Sequence, residues 1–318
     1  MGLFKKKPSR QEVADEDLTF FTVSEAQEFR TMAREVFAEL GYEVHIHSDH
    51  ATDAAGRAYG FWNVAASCHN GTKSQWRDII RLHLQRVLAS FEAADPFDEF
   101  TPDEVSRRTY ARLYDEASIP NLDHYPHSQF APGVVEMLAL DLPDTVAVFN
   151  RDHATMFGGW EALRAQGIAN LRALNDEQIH TVPTQGDGSF TALLGDSVYT
   201  AGKAILLPGL AAELTGQYPS KNLGWLMSVP NRHQLVWHFI EGESVIAALD
   251  GMVRFTALGY SDAPGPVSPH VYWWNGTAYE QLTQLAEDGN LSIHVSLNSR
   301  PPSKRRCPQR TAREFSTR

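Results

Sequence analysis

Leu223-Gly224-Trp225-Leu226-Met227-Ser228-Val229-Pro230-Asn231-Arg232-His233-Gln234-Leu235-Val236-Trp237-His238-Phe239 is the stretch whose reading decides the fold. Leu223, Trp225, Met227 and Val229 alternate along one face, and Leu235, Trp237 and Phe239 do the same after the polar turn Pro230-Asn231-Arg232-His233. A period of two is that of a pleated strand, so the spacing predicts two paired strands of a half-buried sheet.

Working outward, Ser244 to Leu258 carries helical spacing and reads as a helix stopped by Gly259. Val271 to Trp274 and Ala278 to Leu282 then flank Asn275-Gly276, a strong hairpin signal. Upstream, Gln178 to Gly195 reads as two short strands about Gly186-Asp187-Gly188, and Val198 to Leu214 as a helix kinked or broken near Pro208. Trp160 to Leu174 is a further helix, while Arg108 to Glu116, Val134 to Leu142 and Asp144 to Asn150 read as strands. Strands and helices alternate without a βαβ rhythm. The expected class is therefore α+β, a mixed or antiparallel sheet with packed helices over residues 108–297.

An amino-terminal lobe precedes it at residues 19–94. Ser24 and Gln27 have the spacing of a capping box, and Phe29, Met32, Ala33, Val36, Phe37 and Leu40 recur at helical spacing before Gly41. Tyr42 to His47 and Tyr59 to Cys68 read as the two strands of a hairpin. A second helix begins near Thr72, with Trp76, Ile79, Ile80, His83, Leu84, Val87 and Phe91 on one stripe. His83 on that stripe reads as a hydrogen-bonded core histidine. The expectation is a helix–hairpin–helix unit. Residues 95–107, acidic and carrying Pro96 and Pro102, read as a linker; 1–18 and 298–318 read as a disordered lead and a basic disordered tail.

The 318 residues are 42% hydrophobic and 21% charged with a formal net charge of -11, which excludes a wholly disordered chain, a collagen and a coiled coil. The best apolar run, Ala204 to Ala212, is interrupted by Pro208 and Gly209 and falls short of the roughly 20 residues of a membrane span. Met1 to Lys7 is basic with no hydrophobic region behind it, so no secretory signal is expected; Lys6 replaces the Ser or Thr of a myristoylation motif. Two cysteines, Cys68 and Cys307, make no disulfide framework, and a reduced, cytoplasmic setting fits. Seven basic residues between Arg300 and Arg318 face one acid, Glu314, leaving the body more acidic than the total charge states. An acidic body argues against nucleic-acid binding except through the tail at 300–318.

Residues 140–282 carry a set of patterned segments. Leu140-Asp141-Leu142 with Thr145 is followed by Trp160 and the helix end Ala169-Asn170-Leu171-Arg172-x-Leu174. Phe190 precedes the step Gly195-Asp196-Ser197. Ser228-Val229-Pro230 leads into the polar turn and the strand Leu235 to Ile240, and Pro266-Val267-Ser268 precedes the last hairpin. In these features the chain resembles the bacterial YtpQ-like family of uncharacterised cytosolic proteins. The resemblance implies a fold and a cytoplasmic location, and no activity.

Two constellations bear on chemistry. His45-Ile46-His47-Ser48-Asp49-His50 matches H-x-H-x-D-H, the signature of the metallo-β-lactamase-like hydrolases. Imidazoles and a carboxylate suit a hydrolytic metal, with His124, His127, Asp152 or His153 completing the set. The surrounding order of elements departs from those enzymes, and polar residues at a hairpin tip are the competing reading. The turn Asn231-Arg232-His233, with His238 near it, reads as a recognition loop presented to solvent or as an acid/base pair working from Arg232 and His233; the competing reading is turn chemistry, with Asn231 taking an unusual backbone angle and Arg232 solvated. No phosphate loop, dinucleotide fingerprint or nucleophile elbow is present, and no residue pattern calls for a cofactor.

The expectation is a cytosolic, non-catalytic binding or accessory protein whose partner is another protein. A metal-dependent hydrolase using His45, His47, Asp49 and His50 is the alternative. An immunity or regulatory factor for a basic partner is the third reading.

Overall fold

The computed structural model describes residues 13–285, except positions 93, 144, 176 and 221, together with residues 291–293. The lead at 1–12, the tail at 298–318 and Cys307 lie outside the described residues.

Helix α1 (Val23–Glu39) opens on Thr22, whose hydroxyl accepts from the Glu25 N–H at 3.2 Å while the Glu25 carboxylate accepts from the Thr22 N–H at 3.0 Å. The capping box therefore sits two residues before Ser24 and Gln27. A carboxylate in the first turn satisfies the cap and complements the helix dipole, which Gln27 does not. Strands β1 (Val44–Ile46), β2 (His50–Asp53) and β3 (Ala58–Gly60) form an antiparallel sheet, and α2 (Trp62–His69) and α3 (Trp76–Glu92) close the lobe. Tyr59 to Cys68 is thus strand only at its start. Val64, Ala65 and Cys68 are buried on one helical stripe, and two adjacent alanines favour the helix. Leu18 is fully buried and Asp15 pairs with Arg30 at 2.7 Å, so residues 13–18 belong to this packing rather than to a disordered lead.

Residues 95–107 are not a linker. Short helices α4 (Pro96–Glu99) and α5 (Pro102–Arg108) place Phe97 and Val105 in the core of the larger body. Pro96 and Pro102 stand in first helical turns, where proline starts a helix, and Asp95 and Thr101 cap them.

That body is α+β. Strand β4 (Thr109–Asp115) pairs with one edge of the central strand of its sheet; β5 (His127–Ala131) precedes that strand, β6 (Val134–Asp141), and β7 (Val146–Val148) follows it. Helices α6 (Arg151–Met156) and α7 (Trp160–Ala173) come next. Strands β8 (Glu177–Pro183) and β9 (Ser189–Gly195) form a hairpin, followed by a 3-10 segment Thr200–Leu206 and α8 (Gly209–Thr215) on either side of Pro208. Strands β10 (Trp225–Ser228) and β11 (Gln234–Phe239), helix α9 (Val245–Ser261), and the hairpin β12 (Tyr272–Trp274) and β13 (Tyr279–Gln281) complete it. Strands β14 (Thr283–Leu285) and β15 (Leu291–Ile293) make a separate pair. The larger sheet is antiparallel in the order β13-β12-β10-β11-β9-β8.

The decisive stretch is buried on both faces, not one. Trp225, Met227, Leu235 and Trp237 join the core shared with the smaller sheet, whereas Leu226 and Val236 pack with Met252 of α9. The sheet is covered on both sides because α9 runs along it, passing through Gly259 to Ser261. Among the described residues no helix is long and apolar enough to cross a membrane.

Candidate functional site

The turn at 230–234 is enclosed. The backbone N–H groups of Ser268 and Val267 donate to the carbonyls of Val229 and Pro230, and the Arg232 N–H donates to Gly265 at 2.9 Å. The segment after α9 is therefore laid along the turn. Gly265, at φ 69, is what permits it: a Cβ there would stand 2.5 Å from Arg232 Cδ. On the other side, the Ala201 N–H donates to the Arg232 carbonyl at 3.1 Å. Asn231 is fully buried; its amide donates to the Gly259 carbonyl at 2.7 Å and accepts from the His233 N–H at 2.9 Å.

Asn231, Arg232 and His233 are therefore not a loop presented to solvent. Nor does Asn231 take a left-handed angle, since Asn121 is the one non-glycine residue with positive φ among the described residues. Two bonds from a buried side-chain amide hold this turn. His238 is not close to it; it lies on β11, donating from Nδ1 to the Ser189 carbonyl at 2.8 Å.

Arg232 and His233 turn inward together. Arg232 Nε donates to His233 Nε2 at 2.9 Å, and His233 Nδ1 lies 3.1 Å from the Ser197 carbonyl. An arginine can only donate, so Nε2 must accept and Nδ1 carries the proton. The imidazole is held neutral. Burial and the Arg232 charge push its pKa below the usual histidine value, against the opposing pull of the Ser197 and Gly195 backbone. Burial, with the Arg112 charge added, pushes Arg232 itself down to about 10, so it stays charged at neutral pH.

Arg112 comes from β4. The strand turns Ala111 and Leu113 into the core and sets Tyr110, Arg112 and Tyr114 on its other face. The Arg112 guanidinium lies 4.7 Å over the Tyr114 ring, and its Nε is buried with no hydrogen-bond partner among the described residues. Tyr110 stacks on Tyr199 at 4.3 Å, and the Tyr199 hydroxyl donates to Asp141 at 2.9 Å. Tyr199 thus engages the Asp141 carboxylate, and the Arg112 charge acts on the same hydroxyl. Among the described residues, neither Arg112 nor Arg232 has an ion-pair partner.

The first lobe closes the site. Asn63 of α2 accepts from the Gly265 N–H at 2.7 Å, and the Asn70 amide donates to the Asp262 carbonyl at 3.2 Å. His83 of α3 is half-buried near Arg232; burial and the charges of Arg232 and Arg86 push its imidazole down. It has no hydrogen bond among the described residues and stands at the lobe junction, not in the lobe core. The junction thus sets the segment bonded to Asn63 along the Arg232 turn, where the Arg112 charge acts on both Arg232 and His233 and the Arg232 charge acts on His83. Reading the sequence identified Arg232 and His233 but missed Arg112. Its signal was Tyr110, Arg112 and Tyr114 at alternate positions, an aromatic and basic face on a strand whose other face is core.

His45, His47, Asp49 and His50 also come together, at the β1–β2 tip. The His47 ring stacks on His50 at 4.3 Å and 12°, and His45 meets His47 edge-on at 4.6 Å. His50 Nδ1 is 2.6 Å from Asp49, and His47 Nε2 is 3.1 Å from the Thr52 hydroxyl. Nearly parallel rings direct their in-plane lone pairs side by side, whereas a tetrahedral ion needs them to converge. No group of three or more His, Cys, Asp or Glu side chains among the described residues is disposed to hold a metal ion. Of the expected additional ligands, His153 stacks on Phe97 and lies 3.1 Å from Asp95, His127 bonds the Tyr125 carbonyl, and His124 meets the Tyr125 ring edge-on. Cys68 is buried in α2, its thiol pushed up to about 12 by burial. Both tryptophans of the last hairpin are half-buried, Trp273 donating to the Leu223 carbonyl and Trp274 stacking on Trp225.

No family model matches the chain, and no curated protein or solved structure matches it either.

Proposed function

We propose that the protein is a non-catalytic binding protein whose ligand presents an oxyanion, phosphate or carboxylate, to Arg112 and Arg232 at the junction of its two lobes. One observation carries this reading: Arg112 and Arg232 are both half-buried with no ion-pair partner among the described residues, and the Arg112 charge reaches Arg232 and lowers its pKa. Unpaired charge in such surroundings is costly, and a bidentate anion is the partner that guanidinium geometry fits. His233, neutral and oriented by Ser197, fixes the direction of Arg232; Tyr114 does the same for Arg112 by stacking. Membership of the YtpQ-like family belongs to the same proposal and adds no activity to it.

Titration calorimetry with inorganic phosphate and with succinate tests it, the two probes separating a phosphate from a carboxylate preference. Saturable one-site binding should weaken roughly 10- to 100-fold in Arg232→Met and in Arg112→Met, the range for losing a hydrogen bond to a charged group. Arg232→Lys should recover only part, because it keeps the charge and loses the fork. Absence of binding by either anion to the wild type, or equal binding by folded Arg→Met variants, would remove the reading.

A further inference from the structure

Strand β8 is the outer edge of the six-stranded sheet, and no strand flanks it among the described residues. It pairs with β9 over seven positions with no shift of register. The Thr184 N–H donates to the Gly188 carbonyl at 2.9 Å, which sets the alternation of the hairpin. Bonded pairs alternate along an antiparallel ladder. The N–H groups of Val182, His180 and Gln178 therefore turn toward β9, and those of Thr181 and Ile179 turn outward.

Proteins guard such edges with lysines, bulges, central prolines or covering loops. Among the described residues, β8 has none of these between Gln178 and Val182. Its one acid, Glu177, is turned inward to Lys203 at 2.5 Å, with both side chains buried. Pro183 stands at the last outward-facing position, where it has no N–H to offer. Ile179 is 41% exposed on this edge, an apolar side chain without cover.

We propose that two copies of the chain associate through β8, antiparallel about a two-fold axis at His180. The edge is self-complementary in that register. Ile179 faces Thr181 of the second copy as a bonded pair, so each outward N–H meets an outward carbonyl; Gln178 faces Val182, and His180 meets its own counterpart. No lysine, arginine or carboxylate is set opposite its like. Each Ile179 is covered by the opposing Thr181, which occupies the same face of the joined sheet. The interface uses none of the junction residues and stands apart from the oxyanion reading.

Sedimentation velocity on the full chain tests it, over about 10 μM to about 1 mM, a span suited to a small, transient interface. The mean mass should rise toward that of a dimer. The register predicts a charge test on two exposed positions. The double variant I179K/T181K sets lysines opposite lysines and should stay monomeric, whereas I179K/T181E sets lysine opposite glutamate and should dimerise again. Hydrogen exchange at the Ile179 and Thr181 amides should slow as concentration rises, with His180 and Val182 unchanged. A wild type monomeric throughout would overturn the proposal. So would two double variants that associate equally, or association that leaves those two amides exchanging as before.

Discussion

Arg232 and His233 are neighbours in sequence whose side chains bond each other, a fixed cation donating to a neutral imidazole at 2.9 Å. The pair illustrates a wider condition of the fold. His83, His233, His238 and His270 are all pushed below the ordinary histidine value of 6.5, in each case chiefly by burial. The unfolded chain takes up these protons first as pH falls. Stability from the four is therefore fully present above about pH 6.5 and lost as pH falls through the depressed folded values, at up to about 1.4 kcal/mol per pH unit for each proton. Guanidinium unfolding at pH 7.5, 6 and 5 should show this slope, and His233→Asn should reduce it. A stability unchanged between pH 7.5 and 5 would contradict the assignment.

Glu136 is the carboxylate most deeply placed in the smaller sheet, 2% exposed on β6, and Arg164 of α7 grips it with bonds of 2.7 and 2.9 Å. Breaking one side strands a buried charge, so Arg164→Met should destabilise by about 3–5 kcal/mol. Glu136→Gln leaves no stranded charge and should cost less. Chemical denaturation ranks the two, and the opposite order would be incompatible with a buried ionised pair.

The 3-10 segment approaches β4 closely enough that a Cβ on Gly202 would lie 2.7 Å from the Ala111 carbonyl. That oxygen is backbone and cannot swing aside. Gly202→Ala should therefore destabilise by about 1–3 kcal/mol through overpacking. Because β4 also carries Arg112, phosphate affinity should fall with it. A variant as stable as wild type would mean the segment is free to move away.

Cys68 should be inert in the folded protein, since burial holds its thiol near 12 and the reactive form is the thiolate. In a Cys307→Ser background, a thiol reagent at pH 8 should label Cys68 only as fast as the lobe opens. Labelling at the rate of a free thiol would place Cys68 at the surface.

Much of the larger body was legible because strand spacing is read from one apolar face whatever covers the other: Leu235, Trp237 and Phe239 mark β11 although Val236 is buried on the opposite side. The hairpin at Asn275-Gly276 was legible from its turn residues, with Gly276 at φ 101. What escaped were cases where tertiary cover decides. Tyr59 to Cys68 alternates too little to separate a strand from the helix that Ala65 and Ala66 favour. Pro96 and Pro102 look like linker residues until the burial of Phe97 and Val105 is known. The site was half legible for the same reason. A polar turn between two strands reads as exposed, and nothing local in Arg232 or His233 reveals that residues 63, 83 and 265 come to lie over it.

The contact between Asn63 and Gly265 joins residues 202 positions apart. At the pace of a ribosome, roughly 5–20 residues per second, about 10–40 s separate the emergence of the two. The first lobe has its own aromatic core and can condense while the surface it will dock on is still being made. The surroundings of Arg232 are assembled late: the segment laid along its turn is translated after it. A chain halted before residue 265 would present the first lobe with the Asn63 side-chain carbonyl unbonded and the Arg232 turn uncovered on that side.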